Sequence, residues 1–156
     1  MKRFLYVLVI VICSVATTAY GQSISGKLTT EGWSKSIQIS SHEPVSLFKN
    51  FRDGKHKILF HFKSTAGEKA IVLFQMKTTL IHNGKTVGSS YRSDWPWLPG
   101  DMYVPVEAFD FIPLMQKQAN QNKGKLMPGT YEIRLEMKPS EVKSEPIYTT
   151  LSFKIG

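Results

Sequence analysis

Two segments near the C-terminal end alternate apolar and polar residues with a period of two, and this restricts the fold more than any other feature. In LMPGTYEIRLEM, Tyr131, Ile133, Leu135 and Met137 alternate with Glu132, Arg134 and Glu136. In IYTTLSFKI, Ile147, Thr149, Leu151, Phe153 and Ile155 fall on one side. Successive side chains of a strand point to opposite faces, so each segment reads as a strand with one buried and one solvated face. KILFHFK repeats the device, with Ile58, Phe60 and Phe62 opposed to Lys57, Leu59, His61 and Lys63. AIVLFQMKTTLI starts apolar on both faces and alternates after Phe74, which predicts a central strand covered on both sides over its first half. His82-Asn83-Gly84-Lys85 comes next, and Asn-Gly between extended runs predicts a two-residue hairpin, because both residues accept positive φ. The returning strand is expected over residues 85–91.

Toward the N-terminus the pattern is looser. Ile24 with Leu28, and Ile37 with Ile39, predict two short edge strands, and residues 45–48 read as the start of another. In VEAFDFIPLMQKQANQNKGK, Pro113 suits the first turn of a short helix ending near Gln121 and closed by Asn122-Lys123-Gly124. Together these elements predict an all-β fold, a single antiparallel β-sandwich of about seven strands with one short helix in a connection.

Leu126, the Pro128-Gly129 turn and Tyr131, which opens the penultimate strand, resemble the corner of immunoglobulin-like and fibronectin type III-like domains. The resemblance covers mainly residues 55–155. It implies that the Tyr131 hydroxyl ties the preceding loop to the strand and that these four residues serve stability. One residue separates Gly129 from Tyr131, and the cysteine pair and intervening buried tryptophan of antibody-type domains are absent.

The chain opens MKRFLYVLVIVICSVATTAYGQ, with Lys2 and Arg3 ahead of an apolar run and small residues ending at Gly21. This is the pattern of a secretory signal peptide over residues 1–21, cleaved after Gly21, and it predicts a secreted or periplasmic domain over residues 22–156. The apolar run is about half the ~20 residues that a spanning helix needs, so no stable membrane anchor is expected. Cys13 is the only cysteine and lies inside the leader, and Ile12 before it is too large for lipid attachment. The mature chain is therefore free of thiols, disulfides and Cys-ligated zinc. The formal charge of +8 is carried by singly spaced lysines with no run of four, which reads as a solvated basic surface and not as a site for nucleic acid.

No constellation for catalysis stands out. His56 and His61 differ by an odd number and point to opposite faces of a strand, and no carboxylate stands at ligand spacing from His61 and His82; with His42, all read as rim or surface groups. Asp94, Asp101, Glu107 and Asp110 match no calcium loop. No Gly-x-Ser-x-Gly elbow occurs, and Gly54-Lys55 and Gly84-Lys85 lack the upstream glycines of a phosphate loop. The five methionines past the leader read as gap-filling hydrophobes. The expectation is a binding module without catalytic residues, metal or cofactor.

The candidate site is RSDWPWLPGDMYVP (residues 92–105), with two of the three tryptophans and three prolines. It reads as an irregular, stiff segment that displays Arg92, Asp94, Trp95, Trp97, Asp101 and Tyr103 at small entropic cost, with Trp95 and Trp97 projecting to different sides of Pro96. The same aromatics also suit a lid over an open end of the core, with Phe109 and Phe111 beneath. As a recognition surface, the segment and a sheet edge would dock an envelope or extracellular protein. Alternatively, Trp95, Trp97, Tyr103 or Tyr91 would stack on the sugars of a glycan.

Overall fold

The computed structural model describes residues 21–34, 37–39 and 44–156. Residues 1–20 of the segment read as a leader, and His42, lie outside this range. Among the described residues the chain is mostly β, with two sheets and two α-helices. The strands are β1 (Ile24–Glu31), β2 (Ile37–Ile39), β3 (Lys57–Ser64), β4 (Val72–His82), β5 (Lys85–Trp97), β6 (Gly100–Val104), β7 (Gly129–Pro139) and β8 (Ile147–Ile155); the helices are α1 (Pro44–Arg52) and α2 (Phe111–Asn120). One sheet has the order β1-β3-β6 and the other β2-β8-β7-β4-β5. All pairings are antiparallel except β2 with β8, which is parallel.

Period-two alternation sets which face each strand buries. Ile58, Phe60 and Phe62 of β3, Phe74 and Met76 of β4, Tyr131, Ile133, Leu135 and Met137 of β7, and Leu151, Phe153 and Ile155 of β8 belong to one buried cluster. Rings from the two sheets touch inside it, Phe74 lying edge-on to Phe60 at 5.2 Å and to Phe62 at 5.0 Å. Edge-to-face contacts of this kind add stability beyond area burial. The hairpin falls where Asn-Gly places it, with His82 opposite Lys85 and φ of 47° at Asn83 and 78° at Gly84.

Tyr131 is fully buried and its hydroxyl donates to the Met127 carbonyl at 3.0 Å, tying the preceding loop to β7. Its ring lies between His82, stacked at 4.4 Å, and Phe153, stacked at 5.3 Å. Burial pushes the hydroxyl's pKa above its ordinary value. Gly129 beside it has φ of 138°, and a Cβ there would meet His82 and Asn83 within 2.8 Å. Only glycine tolerates both constraints.

Four expectations need correction. Residues 45–48 do not begin a strand but lie in α1, where Leu47 and Phe51, four apart, share the buried stripe that a helix presents. Among the described residues there are thus two α-helices and eight strands. The first half of β4 is not covered on both sides, since Ile71 just before it is exposed and Leu73 is half-buried. Finally, residues 92–105 are not irregular: β5 extends through Trp97, and after Leu98-Pro99 the chain enters the other sheet as β6. The predicted helix around Pro113 forms as α2, and Gly124, at φ 80°, donates back to the Ala119 carbonyl.

Candidate functional site

The aromatic stretch is turned by one irregularity. Arg92 pairs with Met76 and Trp95 with Phe74, so Ser93 and Asp94 together oppose Gln75, and Asp94 takes φ of 65°. This is a β-bulge. The extra residue reverses the alternation, so Trp95 and Trp97 follow Arg92 onto the side of β5 that faces the core. Contrary to projection on different sides of Pro96, the two indoles stack at 6.4 Å, and Trp97 lies edge-on to Phe60 at 6.2 Å. Both are half-buried and packed against the core cluster. The Trp97 indole N–H is buried and has no hydrogen-bond partner. β5 is an edge strand, which is why Pro96 is tolerated within it.

The other residues of the stretch separate. Arg92 donates to Asp110 from Nε at 2.8 Å and pairs with it through a terminal nitrogen at 2.5 Å, while the Ser90 hydroxyl donates to the second carboxylate oxygen at 2.6 Å. The Asp110 amide donates to the Thr78 hydroxyl at 3.3 Å, so this network anchors the start of α2 on β4 and β5. Partial burial would raise the Asp110 pKa, but hydrogen bonds from Arg92 and Ser90 and the charge of Arg92 outweigh it and hold the carboxyl below its ordinary value. Asp101 lies on β6 opposite His61 and meets its Nδ1 at 2.7 Å, a carboxylate partner that sequence spacing did not reveal. Glu107 faces Arg52 at 3.7 Å. Asp94 is exposed on the bulge. Tyr103 is 62% exposed, with the Lys57 ammonium 5.2 Å from its ring centre. It borders a groove of about 470 Å³ formed with Phe51, Arg52, His56 and Glu107. Arg92, Trp95 and Trp97 therefore gather on the inner side of β5, whereas Asp101 and Tyr103 lie on the other sheet.

A second aromatic arrangement lies on the outer face of the five-stranded sheet. Register sets Tyr91 of β5 opposite Lys77 of β4, Lys77 opposite Glu136 of β7, and Glu136 opposite Tyr148 of β8, in one row across four strands. Tyr91 is 67% and Tyr148 54% exposed. The Lys77 ammonium lies 5.4 Å from the Tyr91 ring centre and the Arg134 guanidinium 4.0 Å from that of Tyr148. Between them, Lys77 and Arg134 reach Glu136 at 3.8 and 3.6 Å. Such cross-strand cation–π and ion pairs hold long side chains in defined positions. A shallow depression of about 260 Å³ opens beside Tyr91 and Glu136, bounded by Gln75, Lys138 and Pro146. Alternation points Tyr148 outward in the sequence, but the row depends on the registers of four strands, which no local pattern encodes.

Among the described residues, no three His, Asp or Glu side chains gather where they would hold a metal ion, and no helix is long and apolar enough to cross a membrane. Compared with known proteins, the chain matches no family model and no curated sequence.

Proposed function

We propose that this chain is a non-catalytic binding module of immunoglobulin-like β-sandwich form, delivered to the periplasm or the exterior by the leader read in residues 1–21, and that it docks a protein partner on the outer face of its five-stranded sheet. The row Tyr91–Lys77–Glu136–Tyr148 carries this reading. Tyrosine and arginine are the residue types that dominate interface hot spots, and both occur here on a stiff, regular support. Cations already held over both rings reduce the side-chain entropy lost on docking. The sandwich form draws support from the contacts of Phe60 and Phe62 with Phe74 between sheets, and the immunoglobulin-like likeness from the Tyr131 hydroxyl bond.

In this reading Trp95 and Trp97 serve as the lid, and of residues 92–105 only Tyr103 offers a large exposed ring. Against the glycan alternative on Trp95, Trp97 and Tyr103 counts that the two indoles pack on each other and Trp97 on Phe60, which leaves Tyr103 as its one freely exposed ring.

The test is cross-linked capture from a cell-envelope extract, run beside a glycan array. Wild-type protein and Trp95→Ala are expected to capture the same proteins, while Tyr91→Ala/Tyr148→Ala captures none of them at unchanged folding. Equal capture by the tyrosine double variant, or tryptophan-dependent binding on the array, would overturn the reading.

A further inference from the structure

The same face is self-complementary. The strand order β8-β7-β4-β5 is symmetric about the line between β7 and β4. Rotation by 180° about an axis along that line, lying in the plane of contact, lays β4 of one copy over β7 of another and β5 over β8. It keeps each row at its own height. Lys77 then faces the other copy's Glu136, and Tyr91 faces its Tyr148. In the flanking rows Gln75 meets Lys138, Thr79 meets Arg134, Ser89 meets Thr150 and Ile81 meets Glu132. None of these pairs sets like charge against like. Lys77 and Glu136 already lie side by side, so the paired copies would close a ring of four alternating charges, bounded at each end by two tyrosines.

We propose that the outer face of the five-stranded sheet binds a second copy of this chain in an isologous, face-to-face dimer. The proposal rests on the binding face assigned above and names its partner. Charge complementarity under a two-fold operation is what an isologous interface requires. The face is about 14 Å wide, three strand spacings, and about 20 Å long, six residues of rise. That is small against the ~800 Å² per partner of a standard interface, so the dimer is a transient one.

The experiment is sedimentation equilibrium of the purified protein, up to about 1 mM, where affinities of this class are read. Wild-type protein is expected to dimerise. Lys77→Glu makes the centre of the face wholly acidic and Glu136→Lys makes it wholly basic, so each variant alone should associate about a hundredfold more weakly. An equimolar mixture of the two should regain dimer, because every like-charge contact between copies then becomes an opposite one. A merely intramolecular role for the ion pair gives no such rescue. Should either charge variant misfold, cysteine cross-linking replaces it, since residues 21–156 contain no cysteine. A Tyr91→Cys chain mixed with a Tyr148→Cys chain and treated with a short bis-maleimide, which alkylates both thiols and spans the ~10 Å between facing sheets, should then give a cross-linked heterodimer in larger yield than either chain alone. Wild-type protein that stays monomeric at the highest concentration, or a mixture or cysteine pair that shows no preference, would overturn the proposal. A monomer that still captures an envelope protein through Tyr91 and Tyr148 leaves the binding face standing and removes only the second copy as its occupant.

Discussion

The two aromatic pairs, Trp95 with Trp97 and Tyr91 with Tyr148, differ in almost every physical respect although Tyr91 and Trp95 are four residues apart on one strand. The tryptophans stack on each other, and Trp97 faces Phe60 across the gap between the sheets. The tyrosines stand apart on the solvent side, each with a cation near its ring. What separates them is the bulge at Ser93-Asp94, which converts an even spacing between Tyr91 and Trp95 into opposite faces. Aromatic density in a proline-rich stretch is thus a poor guide to which rings are exposed. Register decides.

The largest expected effect tests the tryptophan side of this contrast. Trp97→Ala should lower stability by about 3 kcal/mol, the low end for a truncated core tryptophan because the ring is only half-buried. Trp97→Phe, which keeps a ring and removes an unpaired buried donor, should cost less than about 1 kcal/mol. Chemical denaturation reads both. Similar losses for the two variants would mean that the indole N–H has a partner.

Next in size is the clamp that holds Arg92 inward. Asp110→Asn should cost about 2 kcal/mol, in the range for hydrogen bonds to a charged group. The carboxyl's pKa is depressed in the folded chain, so its contribution is complete above the unfolded value of about 3.9 and is lost as pH falls through the lower, folded value. The gap between the denaturation midpoints of wild type and Asp110→Asn should begin to narrow below about pH 4 and close below the folded value. A constant gap down to pH 2 would show that the charge is not what matters.

Tyr131→Phe removes one buried hydroxyl bond and should cost on the order of 1 kcal/mol without touching the outer face. At the small end, Tyr91→Ala and Tyr148→Ala should each stay within about 0.5 kcal/mol of wild type. A larger loss would make these tyrosines structural and erase the contrast.

Strands with an undisturbed period of two could be read directly, as Lys57–Ser64, Gly129–Pro139 and Ile147–Ile155 show. The Asn83-Gly84 hairpin and the helix around Pro113 were legible because their signals are local and sterically enforced. Nine residues of α1 were not, since a stripe of Leu47 and Phe51 is too short to distinguish from a strand opening. The course of residues 92–105 was hidden because a bulge reverses alternation without leaving a pattern, and Asp94 in a left-handed conformation carries no signal that glycine would. The pairing of His61 with Asp101 and the row from Tyr91 to Tyr148 arise from contacts distant in sequence.

The central claim, that the tyrosine face and not the tryptophan stretch is the binding surface, is tested most directly by tyrosine nitration read by mass spectrometry on the free and the partner-bound protein. Tyr91, Tyr148 and Tyr103 should react in the free protein and buried Tyr131 should not. On binding, Tyr91 and Tyr148 should become protected together while Tyr103, on the other sheet, keeps its reactivity. Protection of Tyr103 with Tyr91 and Tyr148 still reactive would contradict the account.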